Sequence, residues 1–201
     1  MLTRSLAPDE GPTPVAGGDD ERALMARVAA GDAAAFARIV DRHMPMLHAL
    51  AWRMLGDPGE AEDVVQDSLV KLWVNASGWQ PSGGGLGAWL RRIATNACLD
   101  RLRRPRPLSD AGLPERADDA LPADALIDAE RRRAAVQGAI LTLPDRQRAA
   151  IVLTYHEGAS NAEAASILGI GVKAFESLLV RARHGLSQQL TRQGLIEGTQ
   201  P

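Results

Sequence analysis

The sequence predicts an all-α protein, and three observations carry that expectation. Ala, Leu, Arg and Glu are abundant while the chain holds only 2 Phe and 1 Tyr, a composition that favours helix over strand. Apolar residues recur at three- and four-residue spacing along most of the chain, which is the period of a helix face. Stretches rich in Pro and Gly interrupt those runs and sort them into two groups. A length of 201 residues suits one domain of moderate size or two small ones.

Each element has its own signal. Residues 1–19 are rich in Pro, Gly and acid, lack periodicity, and are expected to form a disordered lead-in. Residues 20–104 form a first helical domain. Leu24 and Val28 open a short helix, Gly31 ends it, and Asp32 can cap the next. That next helix carries Phe36, Ile39, Val40, Leu47, Leu50, Met54 and Leu55, with a bend expected at Pro45. The run from Gly56 to Gly59 is a stop, after which Glu60 to about Asn75 buries Val64, Val65, Leu69, Leu72 and Trp73. The segment from Gln80 to Gly85 excludes regular structure, and a last helix runs from about Leu86 to Arg103.

Residues 105–124 change character. Pro105, Pro107, Pro114 and Pro122 exclude a long helix, and acidic residues outnumber basic ones, so this stretch reads as an extended acidic linker. Residues 125–193 resume the helical pattern with Leu126, Ile127, Val136, Ile140 and Leu141. Pro144 suits the first position of the following helix, which stops at Gly158. Residues 194–201 read as a flexible tail.

The totals exclude several function classes. One cysteine, Cys98, rules out an internal disulfide framework and a multi-cysteine zinc site, and its apolar neighbours suggest a packed thiol. No run approaches the ~18 apolar residues of a membrane span, and the N-terminus lacks the apolar core of a signal peptide, so a cytoplasmic location without membrane insertion is expected. His43, His48, His156 and His184 are scattered without partners at ligand or triad spacing, and no phosphate loop is present. We therefore expect no catalytic residue, no metal and no cofactor. The formal net charge of −2 is low for a protein that grips DNA unaided, so DNA contact must come from local patches or need a helper.

Such patches exist. Ser160 and Glu163 have the spacing of a capping box, with Ala164, Ala165, Ile167 and Leu168 giving a small apolar face behind it. Gly169-Ile170-Gly171 is a tight turn, and Val172 to Arg183 forms a second helix, together a helix-turn-helix. Val172, Phe175, Leu179 and Ala182 are expected inward. Lys173, Ala174, Glu176, Ser177, Val180, Arg181 and Arg183 would then face solvent or a DNA major groove. The alternative is a plain helical hairpin in a bundle.

A second patch lies in the first domain. Arg91, Arg92, Arg101, Arg103, Arg104 and Arg106 cluster on and just past one helix, with Thr95 and Asn96 between them and Trp79 and Trp89 flanking the glycine-rich loop. Arginines can hold a single strand while flat rings stack its bases and an amide reads a base edge. The alternative is a solvated charged face with two structural tryptophans.

Taken in order, these segments resemble the extracytoplasmic-function (group IV) sigma factors of bacterial RNA polymerase, from roughly Asp20 to Leu190. Asp57-Pro58-Gly59-Glu60-Ala61-Glu62-Asp63-Val64-Val65-Gln66-Asp67, leading to Leu72 and Trp73, is similar to the polymerase-docking helix of sigma domain 2. The resemblance implies that Asp63, Gln66, Asp67, Leu72 and Trp73 meet the polymerase core. Ala88 to Asn96, continuing to Asp100 and Arg103, resembles the element that reads and melts the minus-ten region. It implies minus-ten roles for Trp79, Trp89, Arg91, Arg92, Asn96 and Arg103, with Asn96 helping to capture a flipped base.

Leu143 to Arg183 resembles sigma domain 4, which binds the minus-thirty-five element. By that likeness Lys173, Ala174, Glu176, Ser177, Arg181 and Arg183 would meet DNA, although Glu176 and Leu178 stand where many members carry basic residues. Glu176 can accept a hydrogen bond from a cytosine amino group. The expected partners are RNA polymerase core, promoter DNA and an anti-sigma factor, and the expected role is promoter selection and melting in a stress or environmental response. A free-standing helix-turn-helix regulator would account for the C-terminal half but not for the arginine helix or the docking segment.

Overall fold

In the computed structural model, residues 17–81, 84–104 and 124–196 are described, and every regular element among them is helical. The expected lead-in and tail lie mostly, and the acidic linker almost wholly, outside these residues.

Helix α1 (Gly17–Ala29) precedes α2 (Ala33–Leu55), and Asp32 caps α2 by accepting from the amides of Ala34 at 2.9 Å and Ala35 at 3.0 Å. Pro45 does not end α2; the helix continues through it, although proline leaves the carbonyl of Asp41 without its helical donor. The helix stops at Gly56, whose φ of 71° is the left-handed conformation that glycine adopts without strain. Asp57 then caps α3 (Pro58–Asn75) through the amide of Glu60 at 2.8 Å, with Pro58 in the first turn. A 3-10 turn (Ala76–Gly78) follows, and α4 (Gly85–Arg103) completes the N-terminal group. Glu21 of α1 accepts from the amide of Leu86 at 3.0 Å, supplying from another helix the cap that the glycine-rich entry to α4 lacks.

The C-terminal group begins with α5 (Asp124–Leu141). Pro144 sits at the cap of α6 (Asp145–Ile151), one residue before the position read from sequence. The chain then widens into a π-helical turn (Val152–His156), where the amide of Glu157 donates to the carbonyl of Val152 at 3.1 Å. Sequence periodicity does not separate this turn from the helix before it. Helices α7 (Asn161–Leu168) and α8 (Val172–Arg192) follow.

Leu47, Leu50 and Met54 of α2 meet Val64 and Leu72 of α3 and Leu86 and Leu90 of α4 in a fully buried centre. Ile140, Ile151, Val152, Phe175 and Leu179 fill the C-terminal group, and the two sets join in one apolar cluster. The join is also polar. The buried guanidinium of Arg148 donates to the carbonyls of Met54 at 2.5 Å, Leu141 at 2.6 Å and Leu143 at 3.2 Å.

Replacing Arg148 with Met keeps the apolar stem but removes these donors. Each buried acceptor left unpaired costs ~1–3 kcal/mol, so urea unfolding of Arg148→Met should show a loss of at least about 2 kcal/mol. A midpoint equal to wild type would contradict the role given to this arginine.

Candidate nucleic-acid and polymerase interfaces

Three exposed surfaces stand on this frame. The first is on α3. Asp63, Gln66, Asp67, Val70 and Val74 follow one another at helical spacing and all face solvent, Val70 at 61% and Val74 at 69% exposure. Two exposed valines continuing an acidic stripe make a surface that is polar at one end and apolar at the other. Trp73 is 40% exposed and packs edge-on against Phe36 at 5.1 Å, so its ring is held in place at the margin. Leu72 is fully buried. It holds α3 in the core and offers no surface to a partner, because it lies on the opposite face from Gln66 and Val70. Beside the stripe, Met44, Pro45, His48, Val65, Gln66 and Leu69 line a groove of about 600 Å³ between α2 and α3.

Arg101 ties this surface to the next. It reaches from α4 to Glu60 at 3.0 Å and to Asp67 at 2.8 Å. The sequence places Arg101 in the basic cluster but does not show that it is spent within the protein; its acidic partners lie 34 and 41 positions earlier, beyond any local pattern.

The second surface is built by α4 and the turn before it. Asn75, Ser77, Gly78, Trp79, Gln80 and Trp89 line a pocket of about 330 Å³, so the two tryptophans do come together. Arg92 and Asn96 are exposed on α4, and Arg103 is exposed and pairs with Asp100 at 3.2 Å. Two expected members behave differently. Thr95 is fully buried and faces the core, not the arginine face. Arg91 is only 24% exposed at its side chain and approaches Glu157, of the C-terminal group, at 3.4 Å. The contact is charge to charge, without the alignment of a hydrogen bond, since Arg91 Nε has no such partner.

The third surface is the helix-turn-helix. Ser160 accepts from the amide of Glu163 at 3.3 Å while Glu163 accepts from the amide of Ser160 at 2.9 Å, so the capping box is closed both ways. These hydrogen bonds, from the Ser160 backbone and then its hydroxyl, hold the Glu163 carboxyl below its ordinary value. Gly169, at φ 64°, ends α7, and Arg146 donates to the carbonyl of Leu168 at 2.9 Å, pinning the turn from behind. Lys173, Ala174, Glu176, Ser177, Val180, Arg181 and Arg183 are all exposed on α8. The inward set is Phe175, Leu178, Leu179 and Ala182, whereas Val172 is 42% exposed. Val172 lies at the exposed first turn of α8, and Leu178 completes the buried face three residues after Phe175. Arg183 lies over the ring of Tyr155 at 5.5 Å, which fixes its direction.

Beneath the second surface, His43 is buried, with Nε2 3.7 Å from a Glu21 carboxylate oxygen and no hydrogen-bond partner. Cys98 is buried too, and burial pushes its thiol up to about 12. No group of His, Cys, Asp and Glu among the described residues could hold a metal ion, and no described helix is long and apolar enough to cross a membrane.

Residues 39–107 match the family model for Sigma-70 region 2, and residues 133–184 match that for Sigma-70, region 4. The chain is 36% identical over 176 residues to the ECF RNA polymerase sigma factor SigW of Bacillus subtilis, covering 82% of this chain and 93% of that one. It is 35% identical over 170 residues to the ECF RNA polymerase sigma factor SigK of Mycolicibacterium vanbaalenii, covering 82% and 84%. Among solved structures, CnrH in complex with the cytosolic domain of CnrY matches with a TM-score of 0.63 and 32% identity, over 87% of this chain and 99% of that chain. The sigma factor RpoE in complex with the anti-sigma factor NepR from Bartonella quintana matches with a TM-score of 0.60 and 26% identity, over 78% and 96%. The fold and its surfaces therefore define a promoter-specificity subunit of bacterial RNA polymerase. Within that class, this chain belongs to the extracytoplasmic-function sigma factors.

Burial lowers the proton affinity of His43 below its ordinary 6.5, with Glu21 opposing and Arg42 and Arg91 reinforcing the shift. His156 is lowered as well, by burial and then by Arg53. The folded chain thus binds fewer protons at buried His43 than the unfolded chain, so that contribution to stability is fully present above pH 6.5 and is lost as pH falls below it, while exposed His156 adds little. Urea midpoints of wild type should fall between pH 7.5 and 5.5, and those of His43→Phe should fall less.

Proposed function

We propose that the two helical groups act as separate readers: a minus-ten unit over residues 20–104 and a minus-thirty-five unit over residues 125–193. In this reading Asp63, Gln66 and Asp67, with Val70, Val74 and Trp73 beside them, dock on polymerase core. An acidic stripe suits a basic partner surface, and the valines add apolar area that a purely steering contact would lack. Arg92, Arg103 and, once free of Glu157, Arg91 hold the displaced strand. The pocket between Trp79 and Trp89 takes an unstacked base, and Asn96 reads an edge. On α8, Lys173, Ala174, Glu176 and Ser177 approach the base edges while Arg181 and Arg183 approach phosphate.

The observation that carries this reading is the pocket walled by Trp79 and Trp89, with exposed Arg92 and Asn96 further along the helix that carries Trp89. The formal net charge of −2 supports the need for a helper, because phosphate contacts from a near-neutral chain give little free affinity. We further propose that the chain acts in the cytoplasm by binding alone, without chemistry of its own, and that an anti-sigma factor holds it inactive until a stress or environmental signal arrives. The NepR complex of RpoE supports that last element.

Open-complex formation and run-off transcription from a mapped target promoter, with and without core polymerase, test the assignment. Transcript is expected only when chain and core are combined; tight sequence-specific binding by the chain alone, with no transcript, would overturn it. Asn96→Ala should lower the rate of melting about tenfold or more, since a bidentate base contact is worth ~1–3 kcal/mol, while binding to core stays within twofold. An equal loss of core binding would remove Asn96 from the pocket's work.

A further inference from the structure

A pocket takes a flat base only if its walls stay a fixed distance apart, and here the two aromatic walls belong to separate elements. Trp79 follows the 3-10 turn (Ala76–Gly78), whereas Trp89 stands one turn into α4. Between them the sequence runs from Gln80 to Gly85 and ends in three glycines, a composition without the stiffness to hold two rings apart. Helix α4 also starts poorly. Gly84, at φ 96°, has no side chain with which to cap it, and the first helical residue is again glycine. The spacing of the two tryptophans has to be set from another part of the chain.

Helix α1 touches both sides, packing on the 3-10 turn and on α4. It is itself fixed, by Leu24, Met25 and Val28 in the core and by Asp20, which pairs with Arg42 of α2 at 2.8 Å. From this helix Glu21 reaches the start of α4, where one carboxylate oxygen accepts from the amide of Leu86 at 3.0 Å. A side chain on Gly85 would begin 3.0 Å from that oxygen, closer than ordinary contact, so glycine there leaves the carboxylate its room. The other oxygen stands 3.7 Å from Nε2 of His43, beyond hydrogen-bond reach. The free amides and the dipole of a helix start both favour a carboxylate at this place. The family model for region 2 matches from residue 39, so α1 lies ahead of the matched segment.

We infer that Glu21 is a positioning residue for minus-ten capture, a role that rests on the Trp79–Trp89 pocket being the seat of an unstacked base. Helix α1 braces the 3-10 turn and, through Glu21, the first turn of α4, and so holds the two rings at the spacing that admits the base. Without the cap the glycine-rich first turn of α4 frays, and Trp89 moves with it. The pocket is then competent for only a fraction of the time, and apparent affinity for the strand falls by that fraction. Asp63, Gln66 and Asp67 stand on α3, away from the cap, so docking on polymerase core is unaffected.

The test uses the full chain bound to core polymerase and a labelled single strand carrying the minus-ten sequence of a mapped target promoter. Glu21→Met keeps the length of the side chain without an acceptor, and Glu21→Gln keeps an acceptor oxygen without the charge. E21M should bind the strand about tenfold more weakly, the scale of one charge-assisted hydrogen bond, with E21Q within about threefold of wild type and core affinity of both within about twofold. Hydrogen exchange of the free chain is the second readout: residues 85–90 should exchange about tenfold faster in E21M, and residues 97–103 at the far end of α4 at the wild-type rate. Wild-type strand affinity in E21M, alongside a loss in W79A and W89A, overturns the positioning role and leaves the base pocket standing. Wild-type strand affinity in W79A and W89A overturns the pocket, and the role of Glu21 with it. Equal loss of core and strand binding in E21M, or its failure to fold, makes Glu21 a general prop of the fold and overturns its assignment to the pocket.

Discussion

The C-terminal end of α2 is where the molecule is fastened. Gly56 turns the chain out of the helix with a left-handed backbone, which leaves the last carbonyls of α2 without helical donors. Arg148, arriving from α6, satisfies one of them and simultaneously the carbonyls that close α5 and the turn after it. A charged group is expensive to bury unless it is hydrogen-bonded, and carbonyls at converging helix ends are a dense supply of acceptors for the two terminal nitrogens of Arg148. Because the ends of two helices and one turn meet at a single side chain, the position of the whole C-terminal group follows from it.

From that anchor, the functional surfaces are what remains after packing. Helix α3 gives one face to the core through Val64, Val65, Ser68 and Leu72, and the acidic and valine stripe is the face left over. Helix α8 gives up Phe175, Leu178, Leu179 and Ala182, and its recognition residues are again the remainder. The departure of Leu178 from the basic pattern common in the family loses its force in this light, since a buried leucine was never available to DNA. Glu176, by contrast, is exposed and remains a real difference in what this helix can read.

Charge is handled in the same way. Several arginines that look like a nucleic-acid patch are engaged within the protein: Arg101 by Glu60 and Asp67, Arg91 by Glu157, Arg103 by Asp100. Exposed pairs such as Arg103 with Asp100 contribute little and are easily exchanged for phosphate. The Arg91 pair is sheltered and therefore decides more. A near-neutral chain with part of its positive charge paired internally has little affinity to spend on random DNA, which suits a subunit that must find its polymerase first.

Most helices, their breaks and the helix-turn-helix were legible in the sequence, because each is set by residues within a few positions: Asp32 and the Ser160–Glu163 box announce starts, and Gly56 and Gly169 announce stops, whereas the cap at Asp57 sits inside a run that reads only as a stop. Tertiary structure alone decided what those helices touch. Arg148 reads as one charge among several in Asp145-Arg146-Gln147-Arg148, Thr95 as a polar neighbour of Asn96, and Glu157 as a residue before a turn. Their roles depend on partners far away in the chain, and on a π-helical turn whose extra residue shifts the helical register by about 100°. Local periodicity states which face of a helix is apolar; only the packing of several helices together states which polar residue is shut inside, and against what.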